Sequence, residues 1–265
     1  PAAEVGCNTF LLEKGSELGG LASLISKIPA KNRLADFPHY LMHRAEQLEN
    51  LYIFTNTERT PENIRKFHPN IIVSSTGSAP LLPPIAGLKD RIDNEDYNIY
   101  SILGMINHIN DFPKDLEGKK VVVVGGGAVG LDVVEFFADR IADISIVEMM
   151  DQIGRDLDPV SKNDTKAMMK KHNVHQLTKT ALLEVKDSSF LVKGDGEPYE
   201  LPFEYGFVCL GMRAQGQLYQ SLAEEFSSED VEIMNIGDSQ RARRIIDGTQ
   251  EGRNILTILE QRGYL

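Results

Sequence analysis

The feature that most constrains this chain is a run of β-branched residues that ends in a glycine-rich turn. Residues 119–124 read KKVVVV, and GGGAVG follows at once at residues 125–130. Four apolar β-branched residues without alternation predict a strand that is buried on both faces, as in a parallel sheet. Residues 131–141 have helical spacing. The sequence therefore predicts a strand, a tight turn and a helix of a parallel α/β sheet.

The turn carries the pattern GxGxxG, with its glycines at Gly125, Gly127 and Gly130. A second apolar strand, at residues 144–147, ends in Glu148, which comes 18 residues after Gly130. In dinucleotide-binding units the first glycine allows the tight turn, the second lets a pyrophosphate approach the backbone, and the third lets the helix pack closely. The alternative is a turn that only joins a strand to a helix. The strand, the helix and the acid together favour a dinucleotide site.

The predicted site treats the two parts of a dinucleotide differently. The backbone amides that open the helix, those of Ala128 and Val129, are expected to bind the pyrophosphate, helped by the positive end of the helix dipole. Glu148 is expected to accept hydrogen bonds from the adenosine ribose and to repel a 2′-phosphate. Met149 and Met150 come next and offer no arginine to compensate. We therefore expect NADH to bind in preference to NADPH.

Composition and charge limit the other partners. The chain has 265 residues, of which 42% are apolar, and a net charge of −11. Its length suits two modest domains, and its charge argues against a nucleic-acid partner, because phosphate backbones need clustered Lys and Arg. The longest apolar stretch, residues 121–134, is interrupted by glycines and Asp132, so it predicts no membrane partner. A cytoplasmic protein is the expectation.

Several segments together resemble the flavoproteins that have two dinucleotide-binding domains. The segments are FLLEKGSELGG at residues 10–20, similar to an FAD-domain strand and loop; STGSAP at 75–80 and VCLGMR at 208–213, similar to the two crossovers between domains; residues 121–148 and VEMMDQIGRD at 147–156, similar to the NADH unit; and IGD at 236–238, similar to the end of the flavin-binding strand. More narrowly, the chain resembles the C-terminal half of the multidomain NADH:flavin oxidoreductases of the 2-enoate reductase and 2,4-dienoyl-CoA reductase type.

The resemblance implies an α/β fold with two interleaved Rossmann-like domains. The FAD-type domain would use residues 1–87 and 212–265, and the NADH-type domain residues 88–211. From the residues themselves, alternation and turn signals between residues 185 and 208 add a small antiparallel meander.

The chain also departs from the family pattern. The family's first strand and its GxGxxG would come before Ala2, so we expect an N-terminally truncated chain with an incomplete FAD-type domain. The missing part would also hold the family's barrel domain with its FMN and 4Fe–4S cluster. Arg59 stands where an apolar residue is more usual.

The resemblance further implies roles for residues outside the glycine turn. They are Glu13 at the FAD adenosine ribose; Lys14, Gly19 and Gly20 along the FAD path; Thr76 and Gly77 near the flavin; Gly237 and Asp238 at the ribityl chain or pyrophosphate; and Gly211 beside the nicotinamide dinucleotide. Two of them could instead have an ordinary structural role. Glu13 could be an ordinary surface acid, and Asp238 could cap the following helix.

We expect neither a metal site nor a catalytic side chain. Cys7 and Cys209 form no CxxC or CxxxxC pair, so they predict neither a redox disulfide nor a metal framework. His39 and His43 lack the intervening glutamate of a zinc-protease helix. Glu135 faces either the nicotinamide or solvent. Hydride transfer is the cofactors' own chemistry, so the chain needs no acid–base residue for it.

Family members of this type pass a hydride from NADH to FAD, and an activated C=C bond is then reduced in the barrel domain. The resemblance implies that this chain is the corresponding FAD-dependent NADH oxidoreductase module. A non-catalytic fragment that binds NADH or ADP without flavin is the alternative, because the FAD glycine loop is missing. An unstable fragment is a third possibility, and it predicts exposed apolar surface around residues 10–12.

Overall fold

The computed structural model describes residues 1–57 and 60–265. Arg59 lies outside the described residues. The chain forms two compact units: the first contains Pro1–Ser26, Arg33–Ala79 and Met212–Leu265, and the second contains Lys27–Asn32 and Pro80–Gly211. The second unit thus begins before residue 88, where the sequence analysis placed the domain boundary, and it also includes a short segment from the N-terminal region.

The described residues form short strands and helices. The strands are β1 (Thr9–Leu12), β2 (Leu51–Phe54), β3 (Ile71–Ser74), β4 (Ser78–Pro80), β5 (Ile99–Tyr100), β6 (Lys120–Val124), β7 (Asp143–Val147), β8 (His175–Leu177), β9 (Ala181–Val185), β10 (Ser189–Lys193), β11 (Tyr199–Pro202), β12 (Tyr205–Val208), β13 (Met212–Ala214) and β14 (Glu232–Asn235). The α-helices are α1 (Gly20–Ile25), α2 (Asp36–Ala45), α3 (Pro61–Arg65), α4 (Leu88–Arg91), α5 (Ile102–Asn107), α6 (Ala128–Ala138), α7 (Pro159–Lys171), α8 (Gln217–Glu225), α9 (Ile245–Arg253) and α10 (Ile255–Gln261).

A parallel sheet forms the centre of the second unit, with the strand order β5-β12-β6-β7-β8 among the described residues. The four valines of β6 are each at most 3% exposed. On one face, Val122 and Val124 share a core cluster with Phe190 and Val192 of β10. On the other face, the side chain of Val123 lies against Gly130 of α6. The prediction of a strand buried on both faces is confirmed.

The antiparallel meander consists of β9, β10 and β11 in the order β11-β10-β9. Strand β12 lies within the stretch predicted as meander, but it pairs parallel to β6 in the central sheet. Phe207 and Val208 of β12 are at most 1% exposed, as expected for an interior strand. Local alternation predicts a strand but does not select its partner, which explains why this strand was misplaced.

Two parallel pairs of strands lie in the first unit. Strand β1 pairs with β2, and β3 pairs with β14, and in the described part of the chain neither pair gains a third strand. Apolar side chains on these strands are 37% to 44% exposed; they belong to Phe10, Leu11, Tyr52, Ile53, Phe54 and Val73. The apolar surface predicted around residues 10–12 is therefore present. A small core of Ile64, Ile72, Leu222 and Phe226 holds this unit together.

Candidate nucleotide-binding site

The turn between β6 and α6 needs glycine at its first and last positions for reasons of space. Gly125 has a φ of +111°, and a Cβ there would lie 2.1 Å from the carbonyl oxygen of Cys209. A Cβ on Gly130 would lie 1.9 Å from the carbonyl oxygen of Gly125. The amide of Gly125 also donates to the carbonyl of Val147 at 2.8 Å. The hydrogen bond holds the turn against β7, and the short distances leave no room for a side chain at either glycine.

Gly127 is different, because the packing of the chain does not require glycine there. Its φ is −79°, and a Cβ would meet only the Asp156 carboxylate oxygens, at 3.6 and 3.8 Å. Helix α6 begins directly after it at Ala128 rather than at the predicted residue 131. The amides of Ala128 and Val129 therefore lie in the first turn of the helix. A group that approaches the backbone closely at Gly127 would account for this glycine.

The carboxylate of Glu148 is fixed by two backbone amides. Its Oε2 accepts a hydrogen bond from the amide of Gly126 at 2.6 Å, and its Oε1 accepts one from the amide of Met150 at 2.7 Å. The main chain of Glu148 is bonded to Leu177 and Thr180, each at 2.9 Å. Short hydrogen bonds to a carboxylate are the strong ones. The half-buried acid is thus held in one orientation beside the turn.

A cavity of about 360 Å³ opens beside the glycine turn. Its walls include Gly127, Glu148, Arg155 and Asp156. No sequence pattern predicted a role for Arg155 or Asp156. They reach the cavity because the chain folds back after β7, where the amide of Gly154 donates to the carbonyl of Gly126 at 2.7 Å. No local spacing rule predicts this return.

A larger cavity, of about 700 Å³, lies at the amino ends of the central strands. Its walls include Lys119, Glu204 and Tyr205, which stand just before or at the start of β6 and β12. Open α/β sheets bind their ligands at the carboxyl ends of the strands. The smaller cavity beside the glycine turn is therefore the candidate nucleotide site.

In the first unit, Glu13 follows β1 much as Glu148 follows β7. Its Oε1 accepts a hydrogen bond from the amide of Gly15 at 2.7 Å, and its own amide donates to the carbonyl of Phe54 at 2.8 Å. One amide orients this carboxylate, whereas two orient that of Glu148. The other predicted residues of this loop follow in order: Lys14 is exposed, Gly19 precedes α1, and Gly20 begins it.

The structure brings the first crossover and the IGD segment together. The hydroxyl of Thr76 donates to the carbonyl of Gln215, and the amide of Gln215 donates to the carbonyl of Gly77 at 3.0 Å. The hydroxyl of Ser78 donates to Oδ2 of Asp238 at 3.0 Å. Thr76, Gly77 and Asp238, which the resemblance placed around one flavin, therefore belong to one hydrogen-bonded region.

Gly237 and Asp238 already have hydrogen-bond partners within the chain. Oδ1 of Asp238 accepts from the amide of Arg243 at 2.9 Å, and the amide of Gly237 donates to Oε2 of Glu251 at 2.6 Å. This amide, and then the Arg243 side chain, hold the pKa of Glu251 below its ordinary value. Helix α9 begins only at Ile245, so the suggested role of Asp238 as the cap of the following helix is wrong.

Helix α6 carries an ion-pair cluster that the sequence did not predict. The Nζ of Lys31 lies 3.0 Å from Oδ1 of Asp132 and 3.2 Å from Oε2 of Glu135. Burial works against the charge of Lys31, yet Asp132 and Glu135 raise its pKa above the ordinary value. Burial raises the pKa of Asp132, although Lys31 acts against it. Glu135 thus has a lysine partner from the distant segment Lys27–Asn32.

The remaining candidate residues lie apart from these contacts. Gly211 has a φ of +103°, and its carbonyl accepts from the amide of Leu81 at 2.9 Å. Cys209 is 5% exposed, and burial raises the pKa of its thiol to about 12. Within residues 1–57 and 60–265, no group of three His, Cys, Asp or Glu side chains could hold a metal ion.

Over the part of the chain that the structure describes, no helix is both long enough and apolar enough to pass through a membrane.

Comparison with known proteins places the chain among oxidoreductases. It is 26% identical to a metal reductase of Desulforamulus reducens, across 96% of this chain and 40% of that protein. It is 25% identical to an NADH oxidase of Thermoanaerobacter brockii, across 95% of this chain and 37% of that protein. A solved structure of 2-naphthoyl-CoA reductase superimposes with a TM-score of 0.79 at 22% identity, across 95% of this chain and 36% of that chain.

These comparisons confirm the predicted α/β fold and the resemblance to flavoproteins with Rossmann-like domains. The chain spans only about two fifths of the length of the relatives that it matches. The family model described as pyridine nucleotide-disulphide oxidoreductase matches residues 46–234, which is most of the chain. The chain therefore belongs to the pyridine nucleotide-disulphide oxidoreductase family.

Proposed function

We propose that this chain is the dinucleotide-binding module of an FAD-dependent NADH oxidoreductase. The second unit, with Lys27–Asn32 and Pro80–Gly211, binds NADH, and the first unit, with Pro1–Ser26, Arg33–Ala79 and Met212–Leu265, binds FAD. The observation that carries the proposal is the fixed Glu148 carboxylate beside a turn whose Gly127 is not required by packing. When bound, NADH supplies a hydride that FAD accepts, and this redox chemistry belongs to the cofactors.

The geometry of Glu148 supports NADH over NADPH. Its carboxylate is oriented by the amides of Gly126 and Met150, and each oxygen retains a lone pair for a ribose hydroxyl. A 2′-phosphate would bring a second negative charge to the same place. The carboxylate could retreat only by breaking two short hydrogen bonds, so the site discriminates against the phosphorylated cofactor.

Each of the other predicted residues contacts one of the two dinucleotides. Ala128 and Val129 present their amides to the NADH pyrophosphate, and Gly211 lies beside the nicotinamide portion. In the first unit, Glu13 holds the FAD ribose, as Glu148 does for NADH. The FAD path and flavin are lined by Lys14, Gly19, Gly20, Thr76, Gly77, Gly237 and Asp238.

We further propose that the electrons leave this module for a partner domain. The metal reductase, the NADH oxidase and the naphthoyl-CoA reductase are all much longer than the part that matches this chain. A barrel domain holding FMN and a 4Fe–4S cluster, in which an activated C=C bond is reduced, fits that extra length and the narrower resemblance. Its substrate defines the reaction of the whole enzyme.

A second candidate function is the binding of NADH or ADP without a flavin. Two observations in the first unit favour it. The Gly237 amide and the Asp238 carboxylate already have partners in Glu251, Ser78 and Arg243. In addition, the strands of that unit form only pairs among the described residues. Flavin binding would have to compete with these contacts.

Flavin retention separates the two functions. The purified chain is incubated with FAD, passed through a gel-filtration column, and its visible spectrum is recorded anaerobically before and after addition of NADH. An FAD band that survives filtration and bleaches with NADH supports the oxidoreductase module. Protein that binds NADH but elutes without flavin supports the second function. Retained flavin that NADH does not bleach contradicts the proposed module.

Cofactor preference is tested by calorimetry with NADH and NADPH. The wild type is expected to bind NADH more tightly, and Glu148→Ala should weaken NADH binding by about tenfold, since hydrogen bonds to a charged group are lost. The same variant should narrow the difference between the cofactors. Glu197→Ala, an exposed acid elsewhere in the second unit, is the matched control. Equal affinity of the wild type for both cofactors would contradict the role of Glu148.

A further inference from the structure

The residues after β7 that fold back over the glycine turn carry two opposite charges. We propose that Arg155 and Asp156 tune the affinity for the dinucleotide pyrophosphate with opposite signs. Arg155 binds the pyrophosphate, and Asp156 competes with it for the amino end of α6. This inference rests on the proposed NADH site of the second unit and assigns two further residues to it.

Asp156 occupies the position from which an anion would contact α6. Its Oδ2 accepts a hydrogen bond from the amide of Ala128 at 3.5 Å. Its oxygens also lie 3.6 and 3.8 Å from the point where a Cβ of Gly127 would stand. A phosphate that approached Gly127 and used the Ala128 amide would therefore meet this carboxylate first. The hydrogen bond is long, so it is weak and can be exchanged for a better acceptor.

Arg155 is placed to act in the opposite direction. Its side chain is exposed and lines the same cavity as Gly127 and Glu148. Among the residues that the structure describes, it has no hydrogen bond or ion pair. A guanidinium without a protein partner breaks no contact within the chain when it turns to a phosphate, and its planar donors suit bidentate binding of phosphate oxygens.

The backbone that carries both residues is held in place. The amide of Gly154 is bonded to the carbonyl of Gly126 at 2.7 Å, and the side chain of Ile153 is 6% exposed. Gly154 has a φ of +65°, which turns the chain at the edge of the cavity. Arg155 and Asp156 follow this anchor directly, so their side chains can rearrange while the backbone stays against the glycine turn.

The location within the cavity points to the pyrophosphate rather than to the ribose. The Glu148 carboxylate, fixed by Gly126 and Met150, marks the ribose end. Asp156 lies at the Ala128 amide, which marks the pyrophosphate end, and Arg155 is its neighbour in the chain. An arginine at this end leaves the discrimination against a 2′-phosphate to Glu148.

The test compares Arg155→Ala and Asp156→Asn by calorimetry with ADP and with adenosine, which shares the base and ribose but has no phosphate. Arg155→Ala should weaken ADP binding by about tenfold and leave adenosine binding unchanged. Asp156→Asn removes the charge at nearly constant shape and should tighten ADP binding severalfold. Asp151→Asn, an exposed acid of the same segment, is the matched control and should leave both affinities unchanged.

Each outcome decides the inference. It is overturned if Arg155→Ala binds ADP as tightly as the wild type, if Arg155→Ala weakens adenosine equally, or if Asp156→Asn fails to bind ADP more tightly. Arg155→Lys keeps a positive charge and should recover part of the ADP affinity, which a folding defect would not allow. If the wild type binds neither NADH nor ADP, the proposed NADH site fails, which is a different result from a wild-type site that the two variants leave unchanged.

Discussion

The two units place the same kind of residue, a glutamate after a parallel strand, in sheets of different completeness. In the second unit, Glu148 follows β7, which lies between β6 and β8. In the first unit, Glu13 follows β1, which pairs only with β2 among the described residues. The valines of β6 are at most 3% exposed, whereas Phe10 and Leu11 of β1 are 41% and 38% exposed.

The carboxylate beside the larger, buried sheet has more hydrogen bonds that fix its orientation. Glu148 receives two amides, one from Met150 in its own loop and one from Gly126 in the glycine turn after the neighbouring strand β6. Glu13 receives one, from Gly15 in its own loop. Burial of apolar surface is the main stabilising contribution. We therefore expect the second unit to supply most of the stability of the chain and the better-defined nucleotide site.

Matched truncations of phenylalanine should show the largest effect. Phe137 is fully buried and packs against Phe112 and Phe207, so Phe137→Ala should lower the free energy of unfolding by about 3–5 kcal/mol. Phe10 is 41% exposed, and Phe10→Ala should cost no more than about 1 kcal/mol, because less area returns to water. Urea denaturation followed by circular dichroism measures both. Equal losses would contradict the proposed difference between the units.

The two cysteines should report the same contrast through their reactivity. Burial raises the pKa of Cys209 to about 12, so its thiolate fraction at pH 8 is about a thousandfold below that of an ordinary cysteine. Cys7 is partly exposed. Iodoacetamide should therefore label one thiol of the native protein quickly and both in urea, and Cys7→Ser should abolish the fast phase. Rapid labelling of both native thiols would show that β12 is not packed as described.

Cys209 also predicts how the stability of the fold changes with pH. Folding favours its neutral thiol, so this contribution to stability is complete below the pKa of the unfolded thiol, about 8.5. It is lost as the pH rises towards about 12, the pKa in the folded state. Unfolding midpoints measured between pH 8 and pH 11 should fall less for Cys209→Ala than for the wild type. Parallel pH profiles would contradict this assignment.

Gly130→Ala should have a moderate effect that is specific to the proposed NADH site. The added Cβ would lie 1.9 Å from the carbonyl oxygen of Gly125, so the turn must shift, and NADH binding should weaken by at least about tenfold. Gly196→Ala is the control, because a Cβ there meets nothing within 4 Å. Fluorescence titration with NADH compares the two variants. If Gly130→Ala binds NADH with unchanged affinity, NADH does not bind at this turn.

The smallest effect is expected at the ion-pair cluster on α6. Lys31→Met breaks the contacts to Asp132 and Glu135, and partly exposed ion pairs contribute about 0.2–1 kcal/mol. Lys27→Met, an exposed lysine of the same segment, is the control and should be neutral. Thermal unfolding at low and high salt tests the pair. The difference between the variants should shrink as salt increases, and a difference independent of salt would point to packing instead of charge.

Much of the fold could be predicted because its signals are local. The run at residues 119–124 and the acid at Glu148 predicted β6, the turn and the end of β7. The place of β12 could not be predicted, because its pattern fits either an antiparallel or a parallel neighbour. Pairing depends on which apolar faces meet, and that is settled by the whole core.

The chemistry of the proposed nucleotide site can be read from the amino-acid sequence: which positions are glycine and which acid follows the second strand. Three further features follow from the folded chain: two amides fix Glu148; Arg155 and Asp156 return to the same cavity; and Lys31 contacts α6. The two kinds of feature differ in the sequence separation over which the interactions act. Turn, strand and capping preferences act over a few residues, whereas these contacts join residues that only the packing of the unit brings together.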